Sequence, residues 1–202
     1  MRIALPLLAL VLLTACSPPT VPDVTYYRLP APKALPHADK PLTALPIEVA
    51  AFRGEGIYAE QALIYSLTSD AGSMRTFHYQ LWSDPPSRGL QARLTVMLRE
   101  SGISQLVTER LPASDQALRV HGRILRYERV GEGQATHVAV SLEMRVEQDS
   151  GEPLIEQTYS AEAAAADASM SATVQAFGTA VDQVFAKFYH DLAELGTEAH
   201  AG

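Results

Sequence analysis

The stretch LRVHGRILRYERV (118–130), followed by GEG (131–133) and QATHVAVSLEMRVEQ (134–148), decides how the chain folds. In the second arm Val138, Val140, Leu142, Met144 and Val146 alternate with His137, Ala139, Ser141, Glu143, Arg145 and Glu147. Successive side chains on a strand point to opposite faces, so this period of two makes one apolar face and one charged face. The glycine-rich Gly131-Glu132-Gly133 reads as a tight connection, and the two arms read as a long hairpin. The first arm places Leu118, Val120 and Ile124 on one face and then Leu125 and Tyr127 on the other. That switch predicts a β-bulge near Gly122, or a residue pair that covers a second surface.

A one-sided hairpin needs a cover, and the chain supplies it downstream. Asp149-Ser150-Gly151-Glu152 turns the chain into a further strand over Leu154 to Ala163. From about Ser169 the period becomes helical: Met170, Val174, Phe177, Val181, Val184, Phe185, Phe188 and Leu192 step by three or four residues. One helix of roughly seven turns carries them all on one stripe. It is expected to lie across the sheet, with its end beyond Phe188 overhanging and meeting another subunit. Phe185 and Phe188 are therefore candidate partner-binding residues.

Upstream, Val24–Leu29 and Ile47–Phe52 are β-branched and aromatic runs separated by a segment punctuated by Pro30, Pro32, Pro36, Pro41 and Pro46. Ala62–Thr68 and Met74–Trp82 are expected to pair across Ser69 to Ser73. Asp84 and Pro85 then open a helix as cap and first residue, with Leu90, Leu94, Met97 and Leu98 as its buried stripe and Gly102 as its left-handed stop. A further extended run covers Gln105 to Leu111. These elements read as paired strands and two helices of one domain.

The N-terminus reads as an address. Arg2 precedes an apolar run, Ile3 to Leu13, that is too short to span a bilayer as a mature helix. Leu13-Thr14-Ala15-Cys16 resembles the bacterial lipobox, which implies cleavage of residues 1–15, a lipid on Cys16 and a proline-rich tether over 16–23. Ser17, rather than Asp, after that cysteine points to the outer membrane in enterobacterial-type sorting, with the inner membrane as the alternative. Cys16 is the only cysteine, so the mature chain has no disulfide and no thiol nucleophile.

Composition is that of a folded protein, 47% hydrophobic and 19% charged, and the net charge of −7 gives no basic footprint for nucleic acid. The six histidines, at 37, 78, 121, 137, 190 and 200, lack metal-ligand spacing. No nucleophile elbow, zinc-protease or phosphate-loop motif is present, Arg53-Gly54-Glu55-Gly56 included. No catalytic residue, no metal ligand and no cofactor beyond the covalent lipid is therefore expected. The aromatic group Tyr65, Phe77, Tyr79 and Trp82 is a candidate binding surface, half core and half rim, from which Tyr65, Tyr79 and Trp82 are taken as candidate partner-binding residues.

The order of these elements resembles the ABC-type transport auxiliary lipoproteins, the PqiC (YmbA) lipoproteins among them. The resemblance rests on the lipobox, Tyr26-Tyr27-Arg28-Leu29, Ile47-Glu48-Val49, Leu63-Ile64-Tyr65, and Tyr79 to Trp82 followed by Ser83-Asp84-Pro85, and covers about Val24 to Leu195. Where the family commonly has Arg-Pro-Gln-Ile-Val-Tyr-Arg, this chain has Glu60-Gln61-Ala62-Leu63-Ile64-Tyr65-Ser66, so a role resting on those arginines does not carry over. The resemblance implies a single α+β domain over residues 24–195, an antiparallel β-sheet packed against two α-helices with a short C-terminal tail (196–202), hung on the periplasmic leaflet of the outer membrane. It would work beside an MCE-domain substrate-binding protein and an inner-membrane ABC-type or related permease, moving lipids or other hydrophobic molecules. A lipid-carrying or assembly-assisting lipoprotein, and an envelope hydrolase with a hidden site, are the rival readings; a homo-oligomer is compatible with each.

Overall fold

The hairpin read from the sequence is the spine of the molecule. The structure, a computed structural model, describes residues 21–32, 36–38, 40–69, 72–113, 116–131, 136–148 and 151–198. The lipobox, Cys16 and most of the 131–133 connection lie outside them, although Gly131 itself turns with a φ of 93°. The chain runs through β1 (Thr25–Tyr27), β2 (Ile47–Val49), β3 (Arg53–Gly54), a 3-10 turn (Gly56–Ala59), β4 (Ala62–Ser66) and β5 (Met74–Trp82). Helix α1 (Pro86–Ser101), β6 (Val107–Thr108), β7 (Leu118–Val130), β8 (His137–Glu147), β9 (Pro153–Ala164) and α2 (Met170–Glu198) complete it.

Strands β7, β8 and β9 form an antiparallel meander. The other edge of β7 takes three short strands in succession, β2 along Leu118–Val120, β3 along Arg123–Ile124 and β4 along Arg129–Val130, and all three run parallel to it. The sheet is therefore mixed rather than antiparallel. Alternating apolar residues reveal faces, not directions, and the chain returns to β7 through α1 and long connections that permit parallel pairing. β5 pairs antiparallel with β4, and β1 adds to β5 in parallel.

The bulge falls three residues beyond its expected place. Pairing of β7 with β8 slips by one between Ile124 and Arg126, which leaves Leu125 as the extra residue, 37% exposed. The slip lets both Ile124 and Tyr127 reach the core. Gly122 has a different purpose: a Cβ there would stand 2.6 Å from the ring of Phe52, so only glycine leaves room for that ring.

α2 lies over β8 and β9. Val138, Val140, Leu142, Met144 and Val146 on the sheet and Phe177, Val181, Val184, Phe185 and Phe188 on the helix are all at most 1% exposed. The stripe stays buried through Leu192, so the expected overhang beyond Phe188 does not occur there. Edge-to-face contacts tie the layers, Phe52 on Phe185 at 6.3 Å and Tyr159 on Phe188 at 5.8 Å. Ser169 starts α2 by accepting from the Ala172 N–H. α1 begins at Pro86, one residue later than expected, with Pro85 in the cap position and no side-chain cap; the Asp84 carboxylate instead accepts from the Ser83 hydroxyl. It ends at Gly102 with φ 71°, the left-handed stop read from the sequence. The run at 105–111 shrinks to the two residues of β6.

Candidate functional site

Segment 27–32 leaves β1 and crosses between the two helices. β1 sits on the end of β5 with Tyr27 opposite Trp82, and the Ser83 N–H donates to the Tyr27 carbonyl at 2.8 Å. Pro30 rests on α2 at Gly178, where a Cβ would come within 2.5 Å of the proline ring. Arg93 of α1 then closes the crossing. Its guanidinium donates to Asp182 of α2 through Nε at 3.1 Å and Nη2 at 2.6 Å, and its Nη1 donates to the Pro30 carbonyl. Arg93 is 6% exposed, so its charge is buried with a partner, as burial requires. Gly178, Asp182, Arg93 and Pro30 thus make a clamp on segment 27–32.

Beside the clamp is a mainly apolar slot of about 280 Å³, with Tyr27, Pro30, Trp82, Arg93, Val96 and Tyr127 among its walls. Trp82 and Tyr127 are 4% and 2% exposed and pack with Phe177 as an aromatic triad, ring centroids 4.5 to 5.6 Å apart. Val96 is 39% exposed. Burial pushes the Tyr127 phenol well above its ordinary range, with the Arg93 charge acting the other way. The slot can take an apolar group, and Arg28, Ser83 and Asp84 add polar groups to its wall.

A second, polar groove of about 440 Å³ lies over β7 and β8 and includes Arg53, His121, Arg123, Glu143, Arg145 and Glu147. Its charges pair, Arg123 with Glu143 at 3.0 Å and His121 with Glu147 at 3.2 Å across β7 and β8, and Arg145 with Glu147 at 2.9 Å along β8. This is the charged face of the alternating pattern, held by cross-strand pairs. Among the described residues no group of three or more His, Cys, Asp or Glu is placed to hold a metal ion.

The residues singled out in the sequence do not form one surface. Trp82 is buried in the slot wall. Tyr65 is half-buried and stacks on Phe77 at 4.5 Å, and Tyr79 is 37% exposed on β5. Phe185 and Phe188 are fully buried between α2 and the sheet, so no partner reaches them in this fold; their heavy apolar character serves the core. Cys16 lies outside the described residues. Sequence reasoning missed Tyr27, Pro30, Arg93, Tyr127, Gly178 and Asp182. Two signals stood in plain view: Arg93 interrupts the α1 stripe three residues after Leu90, and Gly178 sits inside a helix where it costs about 1 kcal/mol against alanine.

Residues 27–187 match the family described as ABC-type transport auxiliary lipoprotein component. The chain belongs to that family. The match begins at Tyr27 in the slot wall and ends within α2, so β2 to β9, α1 and the clamp residues Pro30, Arg93, Gly178 and Asp182 lie inside the auxiliary lipoprotein domain. Membership makes the protein an auxiliary component of an ABC-type transport system and a lipoprotein of the cell envelope. No helix among the described residues is long and apolar enough to cross a membrane. No curated protein matches the chain. The crystal structure of protein XCC0632 from Xanthomonas campestris, of family DUF330, is similar over 88% of this chain and 100% of that one, with TM-score 0.75 and 15% identity. A crystal structure of an uncharacterized protein is similar over 85% of this chain and 99% of that one, with TM-score 0.66 and 17% identity. The hypothetical protein CT253 from Chlamydia trachomatis is similar over 76% and 98%, with TM-score 0.52 and 9% identity. At these identities the auxiliary lipoprotein shares a fold with them and nothing more is carried over.

Proposed function

We propose that this auxiliary lipoprotein is a non-catalytic docking subunit, anchored through lipid on Cys16 to the periplasmic leaflet of the outer membrane. There it receives an MCE-domain partner that works with an inner-membrane permease on lipids or other hydrophobic molecules. The observation that carries this reading is the clamp. Segment 27–32, which follows the proposed tether, is locked between α1 and α2 by Arg93, so a pull on the anchor is borne by the whole domain. Eight residues lie between Cys16 and Thr25, a reach of about 30 Å when extended, which keeps the domain and its slot close to the lipid surface. A subunit that holds a fixed station beside a membrane suits docking better than turnover.

Two variants test the parts separately. Cys16→Ala should leave the domain folded and move it from the membrane to the soluble fraction; retention in the membrane overturns the anchor. Val96→Glu places a charge at the slot without touching the core. The wild type should co-purify an MCE-domain protein from detergent extracts and Val96→Glu should lose at least tenfold of it; failure of the wild type to retain any such protein overturns the docking role.

A further inference from the structure

Strand β9 gives the sheet one long edge with no neighbour. Over Pro153–Ala164 it pairs with β8 alone, whereas the other end strands, β1 and β6, run three and two residues. Three contacts fix which of its residues face outward. The Ala165 N–H donates to the Thr136 carbonyl at 3.0 Å in the same register as the ladder, so Ala163, Ala161 and Tyr159 exchange bonds with β8 and the residues between them do not. Ser160 and Ser141 bring their hydroxyls within 2.8 Å, as the closer side chains of a pair without ladder bonds do. The Ser160 carbonyl accepts instead from Nζ of Lys187 on α2, at 2.7 Å. Glu156, Thr158, Ser160 and Glu162 therefore turn their backbone N–H and C=O groups away from the sheet, and Lys187 covers one of them.

The charge on this edge has one sign. β9 has no lysine or arginine, and Glu156 and Glu162 are exposed on its open face, the Glu162 side chain by 60%. Glu156 stands opposite Arg145, which is already bonded to Glu147 and to the Gly151 carbonyl. On the face toward α2, where Tyr159 bonds to Asp191, the strand carries the short side chains of Ala161 and Ala163.

We propose that β9 takes up an extended segment of a partner protein as an additional strand, with lysine or arginine at alternate positions beside Glu156 and Glu162 and apolar residues between them. In such pairing the main-chain bonds supply affinity and the alternate side chains supply selectivity. A second copy of the chain fits less well, because two β9 strands would bring four glutamates together with no cation on either strand. A membrane surface fits less well too. The proposed tether leads into β1, and β9 stands five strand spacings away across the sheet, about 24 Å along it. The proposal deepens the docking reading above by naming an edge, and it rests on that reading for a protein as the occupant.

The probe is a fluorescently labelled, end-capped peptide of seven residues that alternates lysine and valine, titrated into full-length protein in a mild detergent and followed by anisotropy. The same peptide with glutamate for lysine, and one with N-methyl groups along one backbone edge, are the controls. The lysine peptide should bind saturably, and each control should bind at least tenfold more weakly. Thr158→Pro removes an outward N–H and no ladder bond, so it should fold normally by circular dichroism and lose at least tenfold in affinity. The double variant Glu156→Lys, Glu162→Lys should reverse the preference toward the glutamate peptide. The proposal is overturned if the lysine peptide does not saturate, if N-methylation leaves its affinity unchanged, or if folded Thr158→Pro binds as the wild type does. Self-association of the wild type that Thr158→Pro abolishes also overturns it, by assigning the edge to a second copy. Retention of an MCE-domain protein is measured without the peptide, so failure of the docking reading leaves the peptide result standing.

Discussion

Replacing Arg93 by methionine keeps most of the side-chain volume and removes the clamp. Three donations disappear, two to Asp182 and one to the Pro30 carbonyl. Breaking a buried pair by removing one partner costs about 3–5 kcal/mol. Asp182 is 25% exposed, so water recovers part of that and the lower end applies, about 3 kcal/mol. In a domain of this size each kcal/mol moves the melting temperature by about 2–4 °C, so the expected drop is about 6–12 °C. Circular dichroism melting of the wild type and of Arg93→Met measures it. The loss should also have a place: segment 27–32 should loosen, and trypsin should cut after the exposed Arg28 much sooner in the variant than in the wild type. A melting shift below about 2 °C, or an equal shift with unchanged cleavage at Arg28, refutes the claim that Arg93 holds this segment.

Two further outcomes follow from local geometry. Gly122→Ala drives a methyl to within 2.6 Å of the Phe52 ring and should cost about 1–3 kcal/mol in urea denaturation, with Phe52→Leu in the same chain restoring part of it. On the alkaline side, burial raises the phenols of Tyr127 and Tyr159, the latter also through its 2.6 Å bond to Asp191. Their neutral forms are favoured by the fold, so the stability they contribute is complete below the ordinary phenol value of 10.0 and is lost as pH rises above it. Melting temperatures should fall above about pH 10 in the wild type and fall less steeply in Tyr127→Phe; equal slopes would show that Tyr127 ionises without penalty.

Much of the fold is visible in one dimension because its two longest layers obey simple periods. The alternation from Val138 to Val146 and the three-and-four stepping from Val174 to Leu192 each name a buried face without reference to anything else in the chain. Gly102 ends α1 as a left-handed stop for a purely local reason. The family, too, is legible in the order of these elements. The candidate partner residues fared differently. Phe185 and Phe188 look the same in sequence whether a helix stripe faces its own sheet or a neighbour, and the sheet of this chain proves long enough to cover them through Leu192.

What the sequence by itself determined is therefore the long elements, their buried faces and the α+β class, all of which depend on residues close together in the chain. Tertiary structure alone decided the parallel seating of β2, β3 and β4 on β7, the slip at Leu125 and the room that Gly122 leaves for Phe52. It also brought Pro30, Arg93 and Asp182 into one clamp and put Tyr127 against Trp82 at the floor of a slot. Each of these joins residues far apart in sequence, and neither strand direction nor a gap between packed side chains leaves a period for the sequence to display.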